Sequence, residues 1–547
     1  MFRTLDAQRI VPVACAFLLG LSPLTSRASD RIEVTFEVLV DSNMTIPGSS
    51  ETFSRLYTPA LDAGNVAFTG LDQSGRIGIY RRDSGGPLEL VADTSTVVPG
   101  VRNFLFLGNP SIQGPLTSFG TNRGIFSASG GILTPIATTN DLVPDQVNRR
   151  GDPVHFSAFT RASLDAPDVA FDGGWGILSG VYIADGSTFV KVADRETVIP
   201  GHQVTFKTLG YPVLEEGEVA FWGEGRLTGQ GIYHFSRGSL RLVADENTPP
   251  PEGFGAFREF HRTPVLADGT IAFMAEKNGT GIYRDKGEGL EVVVRLDTPV
   301  PGSNEPFAGF SPYFSMDEGN VVFQRRAGFE FGFDSGIYLE NHGTIYKIIE
   351  DTDLLEGEIP FLLGVGREAL SDNQIAFWAR MAPSGRDALF LATFEILDDL
   401  EASIDVVPRL ERNFVFPLSR APIPVALLGS EELDVSEVDI ETLAFGPSGA
   451  LSIGERPPRD IDDDGFDDLV SRYRTDETGI AFGDTEACLS GETFDGHVFE
   501  GCDVIETCGR DFELALLVPT ILFMRGRFRG RRVSPGPGSP GRRAVPE

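Results

Sequence analysis

Cysteine is scarce in this sequence of 547 residues, which contains four. Cys15 lies in an apolar segment near the N-terminus, and Cys488, Cys502 and Cys508 lie near the C-terminus. Disulfide bonds therefore cannot hold the long middle of the chain together. If the N-terminal segment is removed, three cysteines remain, which allows one bridge and one leftover thiol.

Positive charge is also in short supply. The chain has 46 Lys and Arg residues against 79 Asp and Glu residues, and its formal net charge is -33. Because nucleic acid needs a positive footprint, this balance argues against a nucleic-acid partner. An anionic membrane surface would repel the chain as well. The excess of carboxylates indicates solubility, with affinity for calcium or for cationic surfaces as the alternative.

No stretch has the pattern of a long amphipathic helix. The 63 glycines and 36 prolines instead separate short apolar segments, as turns separate strands. The sequence therefore predicts an all-β protein. Its length exceeds that of one ordinary domain unless the domain is an array of repeats.

The motifs of common catalytic sites are missing too. The sequence has no nucleophile elbow, no phosphate-binding glycine loop and no His-Glu-x-x-His motif. None of its six histidines has metal-ligand spacing; they are His155, His202, His234, His261, His342 and His497. These absences favour a binding protein over an enzyme.

What the sequence does contain is a repeat of about 51 residues. A Gly-x-x-Ala-Phe type element returns seven times, and its anchoring aromatics are Phe68, Phe119, Phe171, Phe221, Phe273, Phe323 and Phe377. A Gly-Ile-Tyr type element follows each of them, first at Gly78–Tyr80 and last, in a degenerate form, at Ala388–Phe390. Each repeat has about four short apolar segments separated by turn residues.

Four short strands in about 51 residues are the size of a propeller blade. The repeats therefore predict a seven-bladed β-propeller over residues 31–396. The last repeat lacks its outer strand, whereas the first is preceded by a spare one, Ile32–Val40. We expect this spare strand to complete the seventh blade and close the ring. An open β-solenoid is the alternative.

Two repeats carry additional aromatic and charged residues. Asp172–Gly176 in the third repeat includes Trp175, and the sixth has Arg325, Arg326 and Phe329–Phe331. Exposed aromatics beside polar groups can bind sugars. Packing of these aromatics on their own blade is the favoured interpretation.

The repeats resemble the NxxGxxAF tandem-repeat proteins of bacterial cell surfaces. The core of that motif is present at Gly64–Phe68, Gly217–Phe221 and Gly269–Phe273, although the leading Asn is replaced by Leu. The resemblance implies a repeat architecture and a surface location, and it implies no activity.

A different pattern begins after the repeats and predicts a small β-sandwich over residues 397–508. Within it, Asp460, Asp462 and Asp464 alternate before a glycine, as in the first part of a calcium-binding loop. Phe466 could add its backbone carbonyl and Asp468 a direct or water-mediated ligand. Because Ser471 stands where such loops usually have Glu, a ligand from outside the loop is needed. An acidic turn without a metal is the alternative.

The surrounding residues resemble a domain found near the C-termini of exported bacterial proteins. The matching stretches include Ile423–Ser430, Thr478–Ala481 and Gly483–Leu489. The resemblance implies a structural stalk before a sorting signal. In an oxidising compartment we expect a Cys488–Cys502 disulfide, which would stabilise this domain by about 3 kcal/mol.

The two ends of the chain predict export and anchoring. Residues 1–28 have the pattern of a signal peptide, with cleavage between Ala28 and Ser29. Residues 509–532 contain a short apolar run followed by arginines. This layout resembles the PEP-CTERM type of sorting signal in Gram-negative bacteria. Cys508 is then a processing or attachment site, or an ordinary free thiol, and residues 533–547 form a disordered tail.

Together these features predict an exported, surface-anchored, calcium-binding repeat protein that acts as a binding, adhesion or matrix module. Its expected ligand is an extracellular polysaccharide, matrix or protein. We expect a monomer that inserts transiently into a membrane through its C-terminal segment. A polysaccharide hydrolase or lyase built on the propeller is the alternative.

Overall fold

The computed structural model separates the chain into two units, one of which spans Ile32–Ile396 while the other begins at Leu397. It describes residues 31–98, 103–175, 179–251, 255–277, 279–287, 289–326, 335–397, 400–410, 412–494 and 496–507. No helix among these residues is long and apolar enough to cross a membrane.

Short strands make up the first unit. Up to the third blade they are β1 (Arg31–Asp41), β2 (Phe53–Leu56), β3 (Ala60–Asp62), β4 (Asn65–Asp72), β5 (Ile77–Arg82), β6 (Leu88–Asp93), β7 (Ser111–Gln113), β8 (Leu116–Gly120), β9 (Gly124–Ser129), β10 (Ile132–Thr138), β11 (Leu142–Val147), β12 (Pro153–His155), β13 (Ala158–Asp165), β14 (Asp168–Gly174), β15 (Gly180–Ala184) and β16 (Phe189–Asp194).

The remaining blades follow the same plan. Their strands are β17 (Phe206–Glu215), β18 (Glu218–Gly225), β19 (Gly229–Ser236), β20 (Ser239–Asp245), β21 (Glu259–Phe260), β22 (Val265–Ala267), β23 (Thr270–Glu276), β24 (Thr280–Asp285), β25 (Leu290–Arg295), β26 (Phe310–Asp317), β27 (Asn320–Arg326), β28 (Ser335–Asn341), β29 (Thr344–Glu350), β30 (Ile359–Ser371), β31 (Gln374–Ala382) and β32 (Asp387–Leu397).

These strands form seven antiparallel sheets that close into a ring, and a hairpin of β11 and β12 lies between the second and third. Each sheet is one blade. The inner strands β3, β7, β13, β17, β22, β26 and β30 contact their neighbours in turn, and β30 contacts β3. The seven-bladed β-propeller predicted from the repeat period is therefore confirmed.

The spare N-terminal strand completes the last blade, as the sequence predicted. The strand order in that blade is β30, β31, β32, β1. Leu39 and Val40 of β1 are buried, and they belong to the apolar core between the seventh and first blades. The ring is thus closed by pairing the first strand of the unit with its last.

The two repeat elements are cross-strand partners in every blade. Phe68 lies opposite Tyr80, and their rings stack with centroids 5.5 Å apart. The other pairs are Phe119 with Phe126, Phe171 with Tyr182, Phe221 with Tyr233, Phe273 with Tyr283, Phe323 with Tyr338 and Phe377 with Phe390. The two repeated sequence elements therefore correspond to one buried aromatic pair in each blade.

The small residue beside each repeat phenylalanine faces the next blade. Phe221 packs into the core shared with the third blade, whereas Ala220 packs into the core shared with the fifth. Alternating side chains on a strand point to opposite faces, so Ala220 and Trp222 share the face turned toward the fifth blade. Each blade therefore contributes one face to each of two neighbouring cores.

The glycine of the second element makes room for a side chain of its own strand. A Cβ at Gly180 would lie 2.5 Å from the hydroxyl of Tyr182, two residues later. At most of these glycines the neighbour is the tyrosine ring, and Gly124 and Gly231 are the ones approached by a backbone carbonyl.

The second unit is a β-sandwich, as predicted. Its strands are β33 (Leu400–Glu401), β34 (Ser403–Val406), β35 (Phe414–Val415), β36 (Pro422–Leu428), β37 (Val438–Phe445), β38 (Ala450–Leu451), β39 (Leu469–Arg474), β40 (Glu486–Thr493), β41 (Val498–Val504) and β42 (Glu506–Thr507). A five-stranded sheet (β33, β41, β40, β37, β38) and a three-stranded sheet (β34, β36, β39) contribute to one apolar core. A two-stranded sheet joins β35 and β42, and Val435–Glu437 and Thr475–Glu477 form short 3-10 turns.

Candidate functional site: the central channel

A channel runs along the propeller axis between the inner strands. At one end it contains a cavity of about 190 Å³ that is lined by residues from all seven blades. A second cavity of about 410 Å³ shares Arg367 and Glu368 with the first. A third, of about 430 Å³, adjoins the second at Thr58, Asn109 and Tyr313. The two larger cavities form the mouth of the channel and have the size of ligand pockets, which is about 300–1,000 Å³.

A belt of seven residues, six of them polar, surrounds the narrow end of the channel, and its polar side chains join neighbouring blades. These belt residues stand six positions before each repeat phenylalanine and are Asp62, Gln113, Asp165, Glu215, Ala267, Asp317 and Ser371. Asp62 accepts a hydrogen bond from the backbone N–H of Gly114 in the next blade at 2.6 Å, and Asp317 accepts one from Asp372 at 2.6 Å. The other polar members do the same around the ring.

The belt carboxylates are therefore already engaged in hydrogen bonds that hold neighbouring blades together. Burial raises the pKa of Glu215 and of Asp317, and the backbone N–H groups that they accept partly oppose this rise. Ala267 has no acceptor in its side chain, so the joint between the fifth and sixth blades lacks this link. Catalysis by these carboxylates would require them to give up their role as turn caps.

The mouth has different chemistry. One residue from each blade stands at this end, ten positions before the repeat phenylalanine. Thr58, Asn109, Arg161, Tyr313 and Arg367 line the two larger cavities, and Tyr211 and Thr263 hold the same position in the other two blades. The 430 Å³ cavity adds Arg55, Arg326 and Arg380, together with Tyr57 and Trp378. We call the set of Arg55, Arg161, Arg326, Arg367, Arg380, Tyr313 and Trp378 the arginine mouth.

The arginine mouth reverses the charge balance of the chain. Among the residues that the structure describes, five arginines and one carboxylate, that of Glu368, line the two cavities, whereas the whole chain has 46 basic and 79 acidic residues. Arg380 is paired with Asp387 at 2.7 Å. Over the described part of the chain, no carboxylate forms an ion pair with Arg55, Arg161 or Arg326. The mouth is thus a positive spot on an acidic protein.

Arg367 and Glu368 lie deepest in the mouth. Arg367 donates a hydrogen bond to the carbonyl of Pro212 at 2.7 Å, and its Nη1 is buried with no hydrogen-bond partner. Burial lowers the pKa of Arg367, with the neighbouring Arg161 guanidinium adding to the effect and the Glu368 carboxylate opposing it. Burial likewise raises the pKa of Glu368, against the hydrogen bond from Ser111 and the charge of Arg367.

Arg161 is held over an aromatic ring of the next blade. Its guanidinium carbon lies 3.9 Å from the centroid of Tyr211, a cation–π distance. Arg262 lies 4.6 Å from the ring centroid of Trp222 on the other side of this cluster. Tyr211 has φ of +62°, which is rare for a bulky residue and costs about 1–3 kcal/mol.

Asp172 holds the backbone of Arg161 and Tyr211 in this arrangement. Its carboxylate is buried and accepts the backbone N–H groups of Arg161 at 3.0 Å and of Tyr211 at 3.1 Å, and Thr160 also donates to it. Asp172 therefore sets the backbone of two mouth residues from adjacent blades. It is a positioning residue.

Replacing Asp172 with Ala should destabilise the propeller, because two buried N–H donors lose their acceptor at about 1–3 kcal/mol each. Asp172→Asn keeps one acceptor oxygen and should cost less. Urea unfolding followed by tryptophan fluorescence measures both. An Asp172→Ala protein as stable as the wild type would contradict this role.

The structure brings three of the predicted calcium ligands together. One carboxylate oxygen from each of Asp460, Asp462 and Asp464 lies within 4.8 Å of the others. Two oxygens on one calcium ion, each 2.3–2.6 Å from it, can be no more than about 5 Å apart. Desolvation, together with the nearby carboxylates, raises the pKa of Asp462. Gly465, with φ of +101°, makes the turn.

Of the other two predicted ligands, Asp468 is already engaged in the fold. Asp468 is buried outside this group, and its two oxygens accept the N–H groups of Gly429 at 3.0 Å and Ile461 at 2.8 Å. The N–H of Phe466 donates to Asp464 at 2.9 Å. Ser471 is buried and hydrogen-bonded to the Tyr473 hydroxyl, so it does not face the loop as a ligand.

The expected disulfide is present. Cys488 and Cys502 are opposite each other on β40 and β41 and are bonded. Cys508, the cleavage position between Ala28 and Ser29, the sorting segment 509–532 and the tail 533–547 lie outside the described residues, as do Phe329–Phe331.

Sequence reasoning missed the arginine mouth. Asp172 and Arg326 lie in the two stretches that stand out for their aromatic residues, but the sequence predicts no role for their own side chains. Trp175, which was expected to pack on its own blade, is 58% exposed. The signal was available in the repeat, because aligning the seven copies on their phenylalanines and taking the residue ten positions earlier gives two arginines and two tyrosines.

The fold and the channel define a seven-bladed propeller with a cationic, aromatic mouth. The chain belongs to a protein family of unknown function (DUF7453), whose model matches residues 34–362, more than half of the chain. No curated protein matches it.

Three solved structures are among those to which the chain is similar. The polysaccharide lyase Uly1 is 9% identical with a TM-score of 0.37, covering 64% of this chain and 94% of the lyase. The six-bladed fucose-recognising lectin of Aleuria aurantia is 13% identical with a TM-score of 0.28, covering 62% and 93%. The WD40 domain of Toxoplasma gondii coronin is 10% identical with a TM-score of 0.30, covering 68% and 89%. The fold assignment itself rests on the seven sheets and the closed ring.

Proposed function

We propose that this protein is an exported, surface-anchored propeller that binds an extracellular polysaccharide at the arginine mouth. The observation that carries the proposal is the mouth itself. Its cavities have the size of ligand pockets, and among the described residues the guanidinium groups of Arg55, Arg161 and Arg326 have no ion-pair partner and lie beside partly exposed aromatic rings. The carboxylates at the other end of the channel are tied into the fold, so the mouth is the end that is free to bind.

Export and anchoring are parts of this proposal that rest on the sequence. Cleavage between Ala28 and Ser29 would release the mature chain, and Cys508 with residues 509–532 would serve its attachment. The extracellular setting agrees with the Cys488–Cys502 disulfide, since such bonds persist in oxidising compartments.

The test uses purified residues 29–507 and a panel of extracellular polysaccharides. Arg161→Gln and Tyr313→Ala should each weaken retention at least tenfold, because each removes a group that lines the mouth. Arg150→Gln is the matched control, since Arg150 is an exposed arginine in the β11–β12 hairpin and does not line either mouth cavity. Equal retention of all variants would refute binding at the mouth.

A hydrolase or lyase at the same mouth is the second candidate. It is favoured by Glu368, a carboxyl group of raised pKa that faces a cavity beside arginines and a tyrosine. Released reducing or unsaturated ends, recorded in the same incubation, separate the two functions. Product that disappears in Glu368→Gln would replace the binding proposal with the enzymatic one.

We also propose that calcium binds Asp460, Asp462 and Asp464 and stabilises the sandwich. Removing it with EGTA should cost about 2.7 kcal/mol if free calcium was 100 times Kd. For a unit of about 100 residues this lowers Tm by roughly 10 °C or more.

The chain offers clean controls for the calcium site. All three tryptophans, Trp175, Trp222 and Trp378, lie in the propeller, so their fluorescence should not change its midpoint on chelation while calorimetry does. Asp463→Asn removes a charge from the same loop outside the cluster and should keep the response, whereas Asp462→Asn should lose it. A calorimetric profile that is unchanged by EGTA would refute calcium binding.

A further inference from the structure

We infer that the arginine mouth selects an acidic saccharide, whose carboxylate or sulfate lies between Arg161 and Arg367. This inference rests on the proposed function and adds the chemical class of the ligand. Both guanidinium groups line the 410 Å³ cavity, although they come from the third and seventh blades. Ring closure, rather than nearness in sequence, brings them to one space.

The guanidinium groups of Arg161 and Arg367 bring two positive charges to one cavity. Like charges that face one cavity repel each other, and the carboxylates nearest to them are already engaged. Asp172 accepts three hydrogen bonds from its own and the next blade, and Glu368 bonds to Ser111 and the N–H of Ile112. The buried Nη1 of Arg367 still lacks an acceptor. An anion between the arginines would supply that acceptor and relieve the repulsion.

The aromatic residues favour a sugar over a bare anion. Tyr313 lines both mouth cavities with 41% of its surface exposed, and Tyr57 lines the second with 38% exposed. Trp378 lies in the same cavity, with its indole Nε1 buried and lacking a hydrogen-bond partner. Such rings offer an apolar face and a polar edge. A pyranose ring can stack on the faces while its acidic substituent reaches the arginines.

The experiment compares acidic polymers with neutral partners of the same backbone. Polygalacturonate is paired with its fully methyl-esterified form, and dextran sulfate with dextran; alginate and hyaluronan extend the acidic set. Binding to residues 29–507 is measured by calorimetry at low and high salt. We expect at least tenfold tighter binding of an acidic polymer than of its neutral partner, as one charge-assisted hydrogen bond provides. Salt should weaken that binding.

Two substitutions should act in opposite directions. Arg161→Gln should weaken acidic-polymer binding at least tenfold, and Glu368→Gln, which removes the one carboxylate in the mouth, should strengthen it. Neither should change the binding of a neutral polymer. A purely structural role for these residues would not produce an increase, and tryptophan fluorescence confirms that each variant is folded. Arg150→Gln again serves as the control.

The outcomes separate this inference from the proposed function. Equal binding of neutral and acidic partners, or no effect of either substitution, overturns the acidic class and leaves saccharide binding standing. Binding of no polymer at all overturns both. If inorganic sulfate or phosphate binds as tightly as the acidic polymers, the site takes a free anion and the saccharide part is wrong.

Discussion

Deleting residues 31–40 should destabilise the propeller by about 5–10 kcal/mol. The deletion removes the outer strand of the seventh blade, including buried Leu39 and Val40 and the partly buried Ile32, Val34 and Val38. Fully burying one such side chain contributes about 1.5–3 kcal/mol. Urea unfolding followed by tryptophan fluorescence should show the loss, since all three tryptophans lie in the propeller.

The deletion should also expose β32 as an unpaired edge. An open edge strand is a template for pairing with another chain, so the shortened protein should self-associate where the full one does not. Glu33→Gln is the control, because Glu33 is an exposed residue of the same strand and its change leaves the ladder intact. If the shortened protein unfolds at the same urea concentration as the full one, closure through β1 is wrong.

Reducing the Cys488–Cys502 disulfide should lower the stability of the sandwich by about 3 kcal/mol, because the bond closes a loop between residues 14 apart. For a unit of about 100 residues this lowers Tm by roughly 10–20 °C. Cys502 is exposed, so a thiol reductant can reach the bond without unfolding the unit. Calorimetry with and without reductant measures the change.

The matched control is the Cys488→Ser, Cys502→Ser double variant. It should melt at the reduced temperature in both conditions, while the tryptophan midpoint of the propeller stays constant in every sample. A sandwich that melts at one temperature with or without reductant would show that the disulfide adds nothing to its stability.

The propeller could be predicted because the same sequence pattern occurs in every blade. Each blade contains one aromatic pair, such as Phe221 with Tyr233. A motif this short indicates little when it occurs once, but seven copies at a constant spacing indicate a repeat fold. The missing outer strand of the last repeat and the spare Ile32–Val40 even predicted how the ring closes. In the sandwich, by contrast, β39, β40 and β41 carry no repeat and were not predicted as strands.

The mouth could not be predicted in the same way. Arg161 and Arg367 line the same cavity only because the ring closes. Nothing in the sequence of either repeat indicates that the two residues will meet. Tyr211 gave no sign of its left-handed backbone, since that conformation depends on Asp172 in another blade. The proposed calcium ligands, by contrast, could be predicted from local spacing, because Asp460, Asp462 and Asp464 are close in sequence and their carboxylates lie together.

The belt has a consequence for how such a protein can change. It stands six positions before each phenylalanine, and its joints use the same kind of contact from one blade to the next. The inner residues of the mouth stand four positions further back and make none of these belt bonds. They do contact other blades, since Arg161 lies over the ring of Tyr211 and Arg367 donates to the carbonyl of Pro212. A substitution at the mouth would therefore leave the belt bonds in place, so the same ring could close around mouths of different chemistry.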